Sequence, residues 1–357
     1  MMTTVTMGLL QSLGRPGPVG ETNMNKPTLS TLAMTLVGAL CMQAAFAIAD
    51  NNIATPPQKT GVTRAQLDGV IAQVRENALL WRNGETVATE PELALKMIFF
   101  EKNSVGHLCD VLAGMRLDPN NLYVASRLLR QLTYSRSDTI LAALPTVKAL
   151  RQRAAKLYTP FPKLSKTQVQ WLKKPTSRSK AAIEAHKKRQ EDKIARETPI
   201  ARINEAVYSI EGRTFQLMAY SHNPDQYEEL ADAIVEAEKQ HSAVFLIMIQ
   251  AIGAEARKMS PAEGKALYDI LRPVAIELKM ERKRRYVNYG RAILRPDNQS
   301  TFETIEVYPG ITILKTLNRI ATSVHSAEAP ALKVPKEKEI EKYWARKLKN
   351  QKTRKTR

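Results

Sequence analysis

The sequence is short of aromatic residues and of glycine, and both shortages bear on the fold class. Aromatic side chains make up 6% of the 357 residues, and glycine occupies 15 positions. Strands favour aromatic and β-branched residues, whereas Leu, Ala and Met favour helices. Hydrophobic residues still reach 43% of the chain, which is enough for a sizeable core. We therefore predict an all-α fold, either an irregular helical bundle or a short α-solenoid of helix pairs.

Motifs for catalysis and for metal binding are also lacking. No histidine lies at zinc-ligand spacing from another His, Cys or Glu, and the chain has no phosphate-binding glycine loop or nucleophile elbow. His107 and Cys109 are too close in sequence to face each other on a helix, so a buried structural thiol is favoured over a catalytic pair. We predict no cofactor and no metal site, and an enzyme with an unrecognised site is the least favoured class.

An export signal is the most specific motif in the chain. Residues 24–26 give a short positively charged start, residues 29–46 are uncharged and apolar or small, and residues 45–47 form an A-x-A cleavage site. We predict a signal peptide at 24–47, preceded by a non-native extension at 1–23. An uncleaved anchor is the alternative, because the apolar stretch is long enough to span a bilayer.

Cleavage near residue 47 would remove one of the two cysteines. Cys41 lies in the predicted signal, which leaves Cys109 as a single thiol with no partner for an internal disulfide. An exported chain of this kind must be held together by its apolar core alone. We predict a periplasmic or extracellular location, with no transmembrane span after cleavage.

The chain is strongly basic, and the excess charge is concentrated in two segments. It carries 54 Lys and Arg against 35 Asp and Glu, for a net charge of +19. Residues 147–198 hold 15 basic and 4 acidic side chains, and residues 331–357 hold 11 and 3. Two basic segments on a nearly neutral body indicate that a binding function lies in the segments.

The apolar pattern divides the chain into helical units separated by these basic segments. Proline at a first helical turn suggests that a new helix begins at Pro199. Residues 304–308 alternate as a strand does, so a small β-hairpin is predicted near 304–314. The predicted regions are an N-terminal helical unit at 62–158, a basic linker with an exposed helix at 159–198, a C-terminal helical unit at 199–328, and a basic tail with an amphipathic helix at 329–357.

Two clusters of basic side chains are the candidate polyanion-binding residues. One cluster is expected where a helix ends, and the other belongs to the amphipathic helix of the tail; together they comprise Arg282, Lys283, Arg284, Arg285, Lys342, Arg346, Lys347 and Lys349. The tail helix also carries an apolar stripe typical of an interfacial helix on anionic lipid, formed by Ile340, Tyr343, Trp344 and Leu348. The alternatives are that the stripe packs on its own domain and that the first cluster complements a helix dipole.

These observations predict an exported, non-enzymatic helical protein that binds an anionic partner through its basic segments. The partner could be a lipid surface, an acidic envelope polymer or another polyanion, and such binding would depend strongly on salt. Nucleic acid, the usual partner of so basic a chain, is less favoured because the protein is expected to be exported. The alternative is a helical-repeat scaffold whose body binds other proteins while the charge serves solubility.

Overall fold

Helices dominate the part of the chain that the computed structural model describes, which is residues 64–86, 103–324 and 329–355. In chain order these are α1 (Arg64–Arg82), α2 (Asn103–Gly114), α3 (Pro119–Leu132), α4 (Ser137–Ala155), α5 (Lys166–Leu172), α6 (Lys180–Tyr220), α7 (Tyr227–Lys239), α8 (Val244–Glu255), α9 (Pro261–Leu278), α10 (Pro309–Val324) and α11 (Glu337–Lys355). The strands β1 (Arg284–Ile293) and β2 (Thr301–Val307) form one antiparallel sheet. The predicted all-α fold with a small hairpin is confirmed. The predictions for 1–23 and 24–47 concern residues outside those described.

The helix α6 is the 41-residue centre of the fold. It contacts α1, α3 and α4, which precede it, and α7, α8 and β1, which follow it. In a solenoid each repeat contacts only its neighbours along the chain, so this arrangement is that of an irregular bundle. The side chains that α6 buries lie mainly in its second half, from Asn204 to Ala219.

The prediction that a helix begins at Pro199 is wrong, because Pro199 lies inside α6. An internal proline removes one backbone hydrogen bond and normally disfavours a helix by about 3 kcal/mol. Contacts on both sides of Pro199 offset this cost. Lys193 and Glu197 are buried before the proline, and the side chains from Asn204 onward are buried after it, so tertiary packing fixes the helix on both sides. The boundary predicted between 198 and 199 therefore falls within a continuous helix.

The hairpin lies earlier in the chain than predicted. Residues 304–307 do belong to a strand, but its partner precedes it, and the chain from Pro309 onward forms α10. The hairpin is tied to the bundle through the turn after α7, where the Ala243 amide donates to the Val287 carbonyl at 2.9 Å. Its register shifts between Asn288 and Ala292. Gly290 lies in this irregular stretch, and a Cβ atom there would come within 2.8 Å of the Tyr208 ring on α6.

A buried ion pair fastens the far end of the hairpin to α6. The Lys193 side chain is 0% exposed, and its ammonium donates to the Glu197 carboxylate at 2.8 Å, to the Arg295 carbonyl at 2.8 Å and to the Ser300 hydroxyl at 2.9 Å. The Ser300 hydroxyl in turn donates to the Glu197 carboxylate. All three ammonium hydrogens are thus satisfied, which is the condition under which a buried charge is tolerated.

Replacing Lys193 by methionine should destabilise the protein by about 3–5 kcal/mol, because the Glu197 carboxylate would stay buried without its counter-charge. The double variant Lys193→Met with Glu197→Leu should recover most of this loss. Urea unfolding followed by circular dichroism measures both.

The matched control is Lys187→Met. Lys187 pairs with Glu191 on the same helix at the same i,i+4 spacing, but this pair is exposed, with 3.6 Å between the charged atoms. Water screens an exposed pair, so its loss should have little effect on stability. Equal losses for the Lys187 and Lys193 variants would contradict a special role for the buried pair.

Gly310 permits the close contact between the start of α10 and the end of α9. A Cβ atom at this position would lie 2.2 Å from the Leu278 carbonyl oxygen and 2.7 Å from Lys279 Cα. Both are backbone atoms, which cannot move aside as the end of a flexible side chain can. The two helices therefore pack in this way only with glycine at residue 310.

We expect Gly310→Ala to lower stability by about 1–3 kcal/mol through overpacking. The control is Gly69→Ala in α1, where an added Cβ would meet nothing within 4 Å. That change should stabilise the helix by up to about 1 kcal/mol, because alanine has the higher helix propensity. Thermal unfolding of both variants checks the prediction, which would be refuted if Gly310→Ala melted at or above the wild-type temperature.

Candidate functional site

The predicted basic cluster at 282–285 does not lie at a helix end, because α9 ends at Leu278 and Arg284 begins β1. Carboxylates from the bundle and the hairpin pair with most of the cluster. The Arg284 guanidinium contacts Glu238 and lies 2.9 Å from Glu281. Lys283 and Arg285 also pair with a carboxylate, so Arg282 is the one cation of the cluster without an ion pair among the described residues.

Glu306 is shared by the remaining two paired cations of this cluster. Arg285 lies directly opposite Glu306 in the hairpin register, with its Nε 2.6 Å from the carboxylate, and the Lys283 ammonium lies 3.3 Å from the same group. Hydrogen bonds from Arg285 and Lys283 hold the pKa of Glu306 below its usual value. A polyanion would have to compete with Glu306 for both cations.

The tail helix α11 is attached to the body by part of its apolar stripe. Ile340 is 1% exposed, and the Trp344 indole N–H donates to the Met280 carbonyl at 2.6 Å. Tyr343 and Leu348 stay 43% and 42% exposed. The structure therefore divides the predicted stripe into a docked half, Ile340 and Trp344, and an exposed half.

Three of the predicted cations form one face of α11. Lys342, Arg346 and Lys349 are all exposed and follow one another at i, i+4 and i+7, which places them on one side of the helix. At 100° per residue this side is turned about 160° away from Trp344, so it lies opposite the docked half of the stripe. We call these three residues the α11 basic face.

The two predicted clusters meet at Trp344. The Arg282 guanidinium lies 4.8 Å from the centre of the indole ring, and the Lys347 ammonium lies 4.3 Å from it. Cations favour the electron-rich face of an indole ring. Trp344 thus joins a cation that precedes β1 to a cation of the tail helix, on the docked side of α11 and away from the α11 basic face.

Replacing Trp344 by alanine should release α11 from the body, because it removes both the indole hydrogen bond and the packed ring. Backbone amides at 337–351 should then exchange with deuterium about tenfold faster than in the wild type. The control is Tyr343→Ala, which alters an exposed aromatic side chain on the same helix and should leave exchange nearly unchanged. Similar protection in the two variants would show that Trp344 does not hold the helix.

A concave site that the sequence did not indicate lies on the bundle, and none of the predicted site residues lines it. It is a cleft of about 790 Å³ between α4, α6, α7, the start of α8 and β1. Aromatic rings form much of its wall, contributed by Tyr158, Tyr208, Phe215 and Tyr289. Tyr158 and Tyr289 meet edge to face, with ring centres 5.8 Å apart. These residues come from three separate stretches of chain, so no local pattern marks them.

The charged side chains of the cleft are mainly acidic. Arg151 is accompanied by four carboxylates, those of Glu211, Glu229, Asp232 and Glu236. Burial raises the pKa of Glu211, and the positive charge of Arg151 opposes that shift. The Arg151 guanidinium lies 4.6 Å from the centre of the Phe215 ring.

The remaining chemistry-bearing groups do not assemble into a reactive site within the described ranges. Burial is the main cause that raises the pKa of the half-buried Cys109 thiol, which keeps the sulfur protonated and unreactive at neutral pH. Among the described residues, no group of three or more His, Cys, Asp or Glu is arranged to hold a metal ion. None of the helices described is both long and apolar enough to cross a membrane.

Comparison with known proteins yields no relative. No protein-family model, no curated protein and no solved structure matches the chain.

Proposed function

We propose that the protein is exported and acts without catalysis, by binding a polyanionic polymer through the α11 basic face. The observation that carries this proposal is the position of Lys342, Arg346 and Lys349 opposite the residues that dock α11. Docking and binding therefore use different sides of one helix. Export is proposed from the signal pattern at 24–47.

The charge of α11 is distributed in a way that suits such a partner. The acidic residues Glu337, Glu339 and Glu341 all lie near its N-terminus, where they complement the helix dipole. No acidic residue follows between positions 342 and 355, whereas seven basic residues do. The second part of the helix thus presents cations without neighbouring carboxylates on the same element.

The docked apolar half favours a polymer over a lipid surface. An interfacial helix inserts its apolar face among lipid tails and keeps its cations at the headgroups. In α11 the centre of that face, Ile340 and Trp344, packs against the body instead. A polymer bound by charge alone leaves this packing intact, whereas membrane insertion would require α11 to detach.

The triple variant Lys342→Gln, Arg346→Gln and Lys349→Gln tests the proposal. Heparin serves as the polyanion, and its affinity for the protein is measured at several salt concentrations. The binding constant is plotted against salt concentration on logarithmic axes, and the slope of this plot should be smaller in the variant by about two to three. The reason is that each contact between a cation and a phosphate or sulfate group contributes about one to the slope.

The control variant removes the same charge from other exposed positions, Lys239→Gln, Arg257→Gln and Arg272→Gln. Equal weakening by both triple variants would mean that binding follows net charge, which overturns the proposal. Vesicles rich in anionic phosphatidylglycerol form the second arm. Tight vesicle binding with a blue shift of tryptophan fluorescence, and no heparin binding, would replace the polymer by a lipid surface.

A further inference from the structure

The aromatic and acidic cleft has a charge opposite to that of the chain as a whole. Its ionisable wall residues, other than tyrosine, are four carboxylates and one guanidinium, in a protein whose net charge is +19. The cleft and the α11 basic face share no residue. A ligand of the cleft would therefore differ in charge from the polyanion proposed above.

Tyr208 provides an independent indication that the cleft receives a ligand. Its side chain is 7% exposed and lines the cleft, yet its hydroxyl has no hydrogen-bond partner among the described residues. A buried polar group without a partner costs about 1–3 kcal/mol. Burial together with the nearby Glu211 and Tyr289 raises the pKa of Tyr208, so the hydroxyl stays protonated beside two other residues of the cleft wall.

The groups around this hydroxyl favour a donor that carries positive charge. When ionised, the Glu211 carboxylate only accepts hydrogen bonds, and the positive charge that acts on it within the cleft is that of Arg151. A hydroxyl oxygen accepts as well as donates. An ammonium group has three N–H donors, so one such group can serve both oxygen atoms and add to the positive charge that Arg151 already supplies.

The neighbouring aromatic rings suit the same ligand, since the Tyr289 ring centre lies 6.3 Å from that of Tyr208. Tyr158 and Tyr289 present ring surfaces that pack against methylene groups and attract a nearby cation. One cation of the cleft is already bound to an aromatic ring in this way, since the Arg151 guanidinium lies over the Phe215 ring. The volume of about 790 Å³ is in the range of small-molecule sites and exceeds what a lone ammonium ion requires.

Two other carboxylates of the cleft are already engaged. Glu229 pairs with Lys148, and Glu236 accepts a hydrogen bond from the Gln240 amide at 2.7 Å. Asp232 lies between them on α7 and is exposed at the cleft. Glu211 and Asp232 are thus the carboxylates through which the cleft can bind an added cation.

We propose that the cleft binds a protonated alkylamine. The ammonium group donates to the Tyr208 hydroxyl oxygen and to the Glu211 carboxylate, and the alkyl chain packs against the rings of Tyr158 and Tyr289. A fatty-acid anion with the same alkyl chain is repelled by the carboxylates of the cleft. The alcohol with that chain lacks the positive charge that attracts the Glu211 carboxylate.

The test compares three probes that share one apolar chain: hexylamine, hexanol and hexanoate. Isothermal titration calorimetry on the unaltered protein at neutral pH should show hexylamine binding at least about tenfold more tightly than hexanol, and no binding of hexanoate. This comparison needs no variant, so it does not depend on whether an altered protein folds. Equal binding of all three probes, or none, overturns the proposal.

Two variants then locate the ammonium group. Glu211→Gln should weaken hexylamine binding about tenfold, and Tyr208→Phe should weaken it about three- to tenfold, with little change for hexanol. Glu184→Gln is the matched control, since it removes a carboxylate from an exposed position on the same helix outside the cleft. If Glu184→Gln weakened binding as much as Glu211→Gln, the effect would be one of overall charge and the assigned site would be wrong.

Discussion

The buried contact of Lys193 with Glu197, Arg295 and Ser300 is the interaction on which the rest of this structure depends. It joins the middle of α6 to the hairpin across about a hundred residues of sequence. The ammonium group fixes the end of the hairpin, and the turn after α7 fixes its first strand. Because the hairpin is held at both points, β1 can supply Tyr289 to the cleft, and Arg282, just before it, lies against Trp344.

Two surfaces of opposite charge, the α11 basic face and the cleft, follow from this arrangement. The α11 basic face lies on a helix that touches the body mainly near its start, whereas the cleft is enclosed by elements that pack around α6. The separation has a physical advantage. Cations concentrated on an outer helix can attract a polyanion over a Debye length of about 10 Å, while a carboxylate such as Glu211 acts at contact distance inside a cleft.

Local patterns predicted the helices well, and they failed where distant residues decide the structure. The apolar periodicity indicated an all-α chain because each helix turns one face to the core. The prediction at Pro199 fails because the preference of proline for a first helical turn is local, whereas the continuity of α6 is supported by contacts with the hairpin. The alternation at 304–308 identified one strand, but its partner, which begins with two arginines, has no such pattern.

The candidate site shows the same limit. The spacing of Ile340 and Trp344 identified an apolar stripe, but nothing in a helical period tells whether a stripe meets lipid or its own domain. Sequence alone indicates Arg284 and Arg285 as candidate polyanion-binding residues, but it cannot show that they pair with Glu238 and Glu306. Glu238 lies far away in sequence, and Glu306 becomes a neighbour only through the hairpin register. The cleft could not be foreseen, since residues such as Tyr158, Tyr208 and Tyr289 meet only after the bundle has formed.

The helical form of the tail also gives its charges a fixed period. Along α11 the rise from Lys342 to Arg346 is about 6 Å, and from Arg346 to Lys349 about 4.5 Å. The spacing of cations along the helix axis would match polymers whose negative groups recur about every 5 Å, because such polymers could contact all three cations without bending. A disordered tail of the same composition could wrap around many polyanions, whereas under the proposed function a helix would favour polymers whose charge spacing matches its own.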